Sequence, residues 1–106
     1  MKVSELSGEA LDWAVIHASR CSAYDPETDK PSTDWAQGGP IIEREQIQLR
    51  LHVEVEGYWS ANIFVTNEQT IGTTVFEEGP TPLIAAMRCY VASVLGDEVN
   101  IPPDLI

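Results

Sequence analysis

The chain has little positive charge. Six Lys and Arg face 17 Asp and Glu, and 6 − 17 = −11 is the formal net charge. That balance excludes binding along a phosphate backbone, which needs clustered cations, and adhesion to an anionic membrane surface. It leaves room for a basic partner, and equally for a plain solvated surface that keeps a small protein dispersed. Cysteine is scarce as well, with Cys21 and Cys89 alone. Two thiols are too few for a disulfide scaffold, and Met1-Lys2-Val3-Ser4-Glu5 opens the chain without the apolar core of a signal peptide. Reduced thiols in a cytoplasm are therefore expected. No run reaches the roughly 18 apolar residues of a membrane span. Gly-x-Ser-x-Gly, a Walker loop and a dinucleotide fingerprint are all missing, and nothing recommends an enzyme. No internal repeat or low-complexity segment is present.

What is there fits one domain over residues 1–106, with 43% apolar and 22% charged residues, an ordinary balance for a packed core. Its clearest element is a helix after Gly79-Pro80. Thr81 suits the N-cap, Pro82 the first helical position, and Gly96 the residue past the end. Leu83, Met87, Tyr90 and Val94 form one apolar stripe, and Ile84, Val91 and Leu95 a second. Only Arg88 interrupts them. A helix apolar on several sides is buried on several sides. With one thin sheet and one other helix to cover it, a second copy of the chain is expected against one stripe.

An earlier amphipathic helix is predicted from Ser4–Ser7 to about Arg20. Leu6, Ala10, Trp13, Ala14 and His17 lie along its face, widened by Leu11, Val15 and Ala18. Residues 22–31 read as a linker loop punctuated by Pro and Asp. In the stretch Ser32 to Arg44, Gly38-Gly39-Pro40 predicts a turn, the residues before it show no period of 2 or 3.6 and read as a loop held by its own side chains, and Ile41 to Gln46 is expected to make one helical turn. From Ile47 the period becomes 2. Ile47, Leu49, Leu51, Val53 and Val55 face one way and Gln48, Arg50, His52 and Glu54 the other. Strands follow at Trp59–Val65, whose second face carries Ser60, Asn62 and Phe64, and at Ile71–Phe76. The tail 100–106 is expected to be extended. The sum is an α+β fold: helix, three-stranded antiparallel sheet, helix, with the two helices packed on one face of the sheet. Double-stranded-RNA-binding domains share this order, but the acidic chain and the lysine-free start of the last helix exclude that use.

Two places carry candidate ligand chemistry. In the 32–44 stretch, Ser32, Thr33, Asp34 and Gln37 supply donors and acceptors and Trp35 a flat stacking face. At the start of the last helix, free N–H groups attract anions, Thr81 adds a hydroxyl, and Arg44 or Arg88 adds a charge-assisted contact. The plainer alternatives are an indole plugging the core, a carboxylate capping a turn, and an arginine paired with one of many acids. His17 and Cys21, four apart, suggest a metal pair, but Cys89, His52 and the carboxylates complete no ligand spacing. No metal and no cofactor is therefore expected.

Three blocks resemble one family. Lys2-Val3-Ser4-Glu5-Leu6-Ser7-Gly8 with Ala10-Leu11-Asp12-Trp13-Ala14-Val15, the stretch Ser32 to Glu45, and the stretch Gly79 to Val99 are similar, in register, to the NinX-like proteins of temperate phages and prophages, a domain family of unknown function. The chain departs from the family in Ser22 to Lys30 and at Val94-Leu95. The resemblance implies a phage accessory protein working in the cytoplasm of a bacterial host, without supplying catalytic residues. It leads to the expectation of a non-catalytic, homo-oligomeric binding protein that sequesters a small nucleotide-derived signal of host defence. The site would join the Trp35 loop to the start of the last helix. The alternative is an acidic nucleic-acid mimic or regulator that blocks a host protein.

Overall fold

A computed structural model gives the architecture; the structure describes residues 1–19, 23–52, 57–67 and 70–105, with backbone alone at 65–67, 70–71 and 73. Helix α1 spans Gly8–Ala18, α2 Trp35–Glu45 and α3 Pro82–Leu95, and the strands are β1 Gln48–Leu51, β2 Trp59–Asn67 and β3 Thr70–Gly79. The sheet is antiparallel in the order β1-β2-β3. Leu49 lies opposite Ala61, and Ile63 opposite Val75. These inward residues meet α3, which crosses the sheet, while α1 packs on α3 from the other side. The α+β class expected from the alternation and the two apolar helices is the one observed. Val53 to Val55, the centre of the 67–70 turn, Arg20 and Cys21 lie outside the described residues.

Four local expectations change. The largest is α2, an eleven-residue helix where Gly38-Gly39-Pro40 predicted a turn. Asp34 caps it: its Oδ1 accepts the Ala36 N–H at 2.9 Å. Pro40 removes the N–H that would have bonded the Ala36 carbonyl, and both residues are exposed, where an unbonded carbonyl costs least. Gly38 is buried because the helix needs a residue without a side chain there. A Cβ on it would stand 2.5 Å from Leu83 Cδ2 and 2.5 Å from the Pro31 carbonyl oxygen. The apolar stripe of α2 is thus Gly38, Ile41 and Ile42, a helical period in which the first member is glycine. Gln46, in the left-handed region at φ 54°, ends the helix, with the Ile47 N–H donating back to the Ile42 carbonyl at 3.0 Å.

The second change is the cover on α3. Leu83, Ala85, Ala86, Met87, Cys89, Tyr90, Val91 and Ala92 are all buried within one chain. The helix that the sequence concealed supplies part of that cover, and the tail supplies more through buried Val99 and Ile101. This removes the reason the apolar stripes offered for a second copy. Third, the tail is not simply extended. Residues Lys2 and Glu98 bridge as a short antiparallel pair, Val3 N–H donates to the Asp97 carbonyl at 2.8 Å, and Pro103–Leu105 makes a 3₁₀ turn. β3 also continues past Phe76 to Gly79, so Glu77 and Glu78 are strand residues.

Candidate functional site

The first turns of α2 and α3 face each other across a cleft of about 220 Å³. Ser32, Thr33 and Trp35 form one wall and Thr81, Pro82, Leu83 and Ile84 the other. Trp35 begins α2 and is 54% exposed, so its indole borders solvent and does not plug the core. Its ring lies along Gly39, whose missing Cβ would sit 4.0 Å from Trp35 Cε3. Thr81 caps α3: its Oγ1 accepts the Ile84 N–H at 3.1 Å, and its carbonyl accepts the Ala85 N–H at 3.0 Å. Pro82 has no N–H to give. In this first turn the Leu83 N–H is therefore the backbone donor left for a ligand.

Asp34 and Gln37 build the cleft without lining it. Gln37 Nε2 donates to the Thr28 carbonyl at 2.7 Å and to Asp34 Oδ2 at 3.2 Å, and its Oε1 accepts the Lys30 N–H at 2.9 Å. These bonds brace the incoming loop on the first turn of α2. A second brace comes from a residue the sequence reading passed over. Asp12 on α1 is 5% exposed, and its Oδ1 accepts the Ser32 N–H at 2.9 Å. Burial pushes this carboxyl above the ordinary value of 3.8, while its bonding to Ser32 and the charge of Lys30 pull back. Helical spacing did not signal it: Asp12 falls outside the stripe of Ala10, Trp13 and Ala14, on the side of α1 that looks polar, and only the packing of the Ser32 loop buries it.

Neither arginine joins Trp35. Arg44 Nε pairs with Glu45 Oε2 at 3.1 Å, and its guanidinium carbon lies 5.8 Å from the centre of the Tyr90 ring, beside the last turns of α3. Arg88 does not line the Trp35 cleft either. Its Nε donates to the Leu6 carbonyl at 2.8 Å and its Nη1 to the Glu78 carbonyl at 2.7 Å, tying the N-terminal turn to β3. It also lines a separate cleft of about 390 Å³ with Tyr58, Phe76, Glu77 and Glu78. Of the eight residues expected to form a site, Ser32, Thr33, Trp35 and Thr81 line one cleft. Asp34 and Gln37 support it, and Arg44 and Arg88 stand apart.

The histidines and the described thiol form no reactive pair. His17 is exposed and stacks on Trp13, with ring centres 4.9 Å apart. His52 meets the edge of Tyr58. Cys89 is buried, donates to the Val75 carbonyl at 3.3 Å, and burial pushes its thiol up to about 12, so it is neither a nucleophile nor a ready ligand at neutral pH. Among the described residues no group of three or more His, Cys, Asp or Glu is placed to hold a metal ion, and no helix is long and apolar enough to cross a membrane.

No curated protein matches the chain. A family model does match, described as Bacteriophage P22, NinX, and it covers residues 2–94, which takes in α1, α2, the sheet, α3 up to Val94 and both walls of the Trp35 cleft. The chain belongs to the NinX family of phage proteins.

Proposed function

We propose that this NinX-family protein is a non-catalytic binding protein whose Trp35 cleft takes the base-and-sugar end of a small nucleotide-derived signal. Sequestering that signal would serve the phage against host defence. The observation that carries the reading is the exposed indole of Trp35 set opposite the capped start of α3, with hydroxyls of Thr33 and Thr81 at hand. An indole face stacks on any nucleobase, and such stacking contributes roughly 1–3 kcal/mol per base. Hydroxyl and backbone donors then orient the polar rim.

Size and charge narrow the ligand. The cleft, about 220 Å³, is below the roughly 300–1,000 Å³ of pockets that enclose drug-sized ligands. It suits one base with its ribose, and a dinucleotide would need a second cleft. Arg44 and Arg88 are occupied elsewhere, so a phosphate would rest at the mouth, near the Leu83 N–H and the positive end of α3. Among the described residues that line the cleft there is no Lys or Arg to hold a polyphosphate.

Thermal unfolding in the presence of adenosine, ADP-ribose, cyclic mononucleotides and cyclic dinucleotides tests the reading. At about a hundredfold excess over its dissociation constant, a bound member stabilises the fold by roughly 2.7 kcal/mol. The expected result is a rise with at least one member that disappears in Trp35→Ala. A panel with no rise, or a rise that Trp35→Ala leaves intact, overturns the proposal.

A further inference from the structure

The chain has two phenylalanines, Phe64 and Phe76, and both stand on the surface, 66% and 54% exposed. They share the sheet face turned away from α3. The register puts Phe64 opposite Thr74 and Phe76 opposite Asn62, so the two rings are diagonal neighbours on β2 and β3. Gln48 lies across from Asn62, and Arg50 across from Ser60, on the same face. The tip of the Phe64 ring lies over Gly72, where a Cβ would overlap it. Phe76 leads from this face into the cleft of about 390 Å³, where Tyr58, Glu77, Glu78 and Arg88 meet. Two carboxylates against one guanidinium leave that cleft net negative. Glu77 is half-buried, and burial together with Asp97 raises its pKa, so a cation brought beside it gains more than beside an exposed carboxylate.

We propose that this open sheet face and the Tyr58–Glu78 cleft form a docking surface for a basic segment of a partner protein, with an Arg or Lys side chain entering the cleft. The occupant follows from charge complementarity. Phe76 and Tyr58 offer aromatic faces to a cation, and Glu77 and Glu78 offer it counter-charge. A second copy would bring −11 against −11, and a nucleic acid would meet the same repulsion. The apolar rings supply the short-range contact that makes a charged encounter specific. This surface lies apart from the Trp35 cleft, and the two stand or fall separately.

The test uses a short peptide alternating arginine and leucine, its counterpart with glutamate for arginine, and fluorescence anisotropy on the full chain. The arginine peptide should bind saturably and the glutamate peptide should not. Phe76→Thr and Phe64→Thr keep a good strand former at exposed positions. Each should weaken binding about tenfold with the unfolding temperature little changed, while Trp35→Ala leaves binding intact. Should Phe64→Thr loosen the sheet by uncovering Gly72, Phe76→Thr and Glu78→Gln carry the test alone. Equal affinity of wild type and Phe76→Thr for the arginine peptide would mean diffuse charge attraction and overturns the proposal. So does binding of both peptides alike, or a dimer in sedimentation that Phe76→Thr dissolves, which would make a second copy the occupant.

Discussion

Helices α2 and α3 sit side by side and are made in opposite ways. α3 is specified locally: Thr81 caps it, Pro82 starts it, Gly96 follows it at φ 92°, and the residues between, Arg88 apart, are apolar or small. α2 carries Gly38, Gly39 and Pro40 in its middle. Each glycine disfavours a helix by about 1 kcal/mol relative to alanine, and the proline by about 3 kcal/mol. What overrides that is tertiary: the Asp34 cap, the Gln37 brace, burial of Ile41, and a backbone approach to Leu83 and Pro31 that only glycine permits. The difference teaches where the candidate site comes from. Its α3 wall is written in the residues that form it, and its α2 wall exists only when the rest of the chain is folded.

Substitutions can break that contrast. The largest effect is expected at Gly38. Gly38→Ala improves the intrinsic helix propensity of α2 yet drives a methyl into Leu83 and the Pro31 carbonyl, so a loss of about 1–3 kcal/mol is expected in denaturant unfolding. A stabilised Gly38→Ala would show that α2 is limited by local propensity after all. Next comes Asp12, which anchors the loop through Ser32. Asp12→Ala leaves the buried Ser32 N–H without an acceptor and should cost about 1–3 kcal/mol, whereas Asp12→Asn keeps the acceptor and sheds the buried charge. The pH dependence has a definite sign. The folded-state pKa of Asp12 is raised above 3.8, so the native state holds this proton more tightly than the unfolded state. Its contribution to stability is full below about 3.8, the unfolded value. It is lost as pH rises through the raised folded value. Asp12→Asn should flatten this part of the stability–pH curve and match or exceed wild type at neutral pH.

The smallest stability effect belongs to the locally built helix. Thr81→Ala removes the bond to the Ile84 N–H and should cost about 1 kcal/mol, read as a lower denaturant midpoint with an unchanged slope. Frayed amide exchange confined to the first turn of α3, with α2 undisturbed, would sharpen the contrast between the two helices.

The same contrast says how much was readable beforehand. The period of 2 from Ile47 to Leu49 and through Ala61 and Ile63, and the end signals of α3, are properties of adjacent residues and gave the α+β class. Trp35 and Thr81 were legible as ligand chemistry because an indole among hydroxyls and a capped helix start are local patterns. That they face each other depends on α2, which local rules break at Gly38. Arg44 and Arg88 were misplaced for the same reason: residue type suggested an anion contact, but direction is set by which helix face is already buried. The exposure of Phe64 and Phe76 had a faint signal in Phe64, which alternation put on the second face of its strand. Phe76 was at the end of its predicted strand, before Glu77-Glu78, and its facing was settled only by the continuation of β3 to Gly79.

The central claim is that the Trp35 indole receives the ligand. The most direct measurement makes Trp35 the one indole of the chain, by Trp13→Phe and Trp59→Phe, and follows its emission during titration with ADP-ribose and each cyclic nucleotide in turn. The account predicts saturable quenching by at least one of them, with the same midpoint as the thermal stabilisation of the unmodified chain. Emission unmoved by every titrant, in a chain that unfolds as cooperatively as wild type, would contradict it.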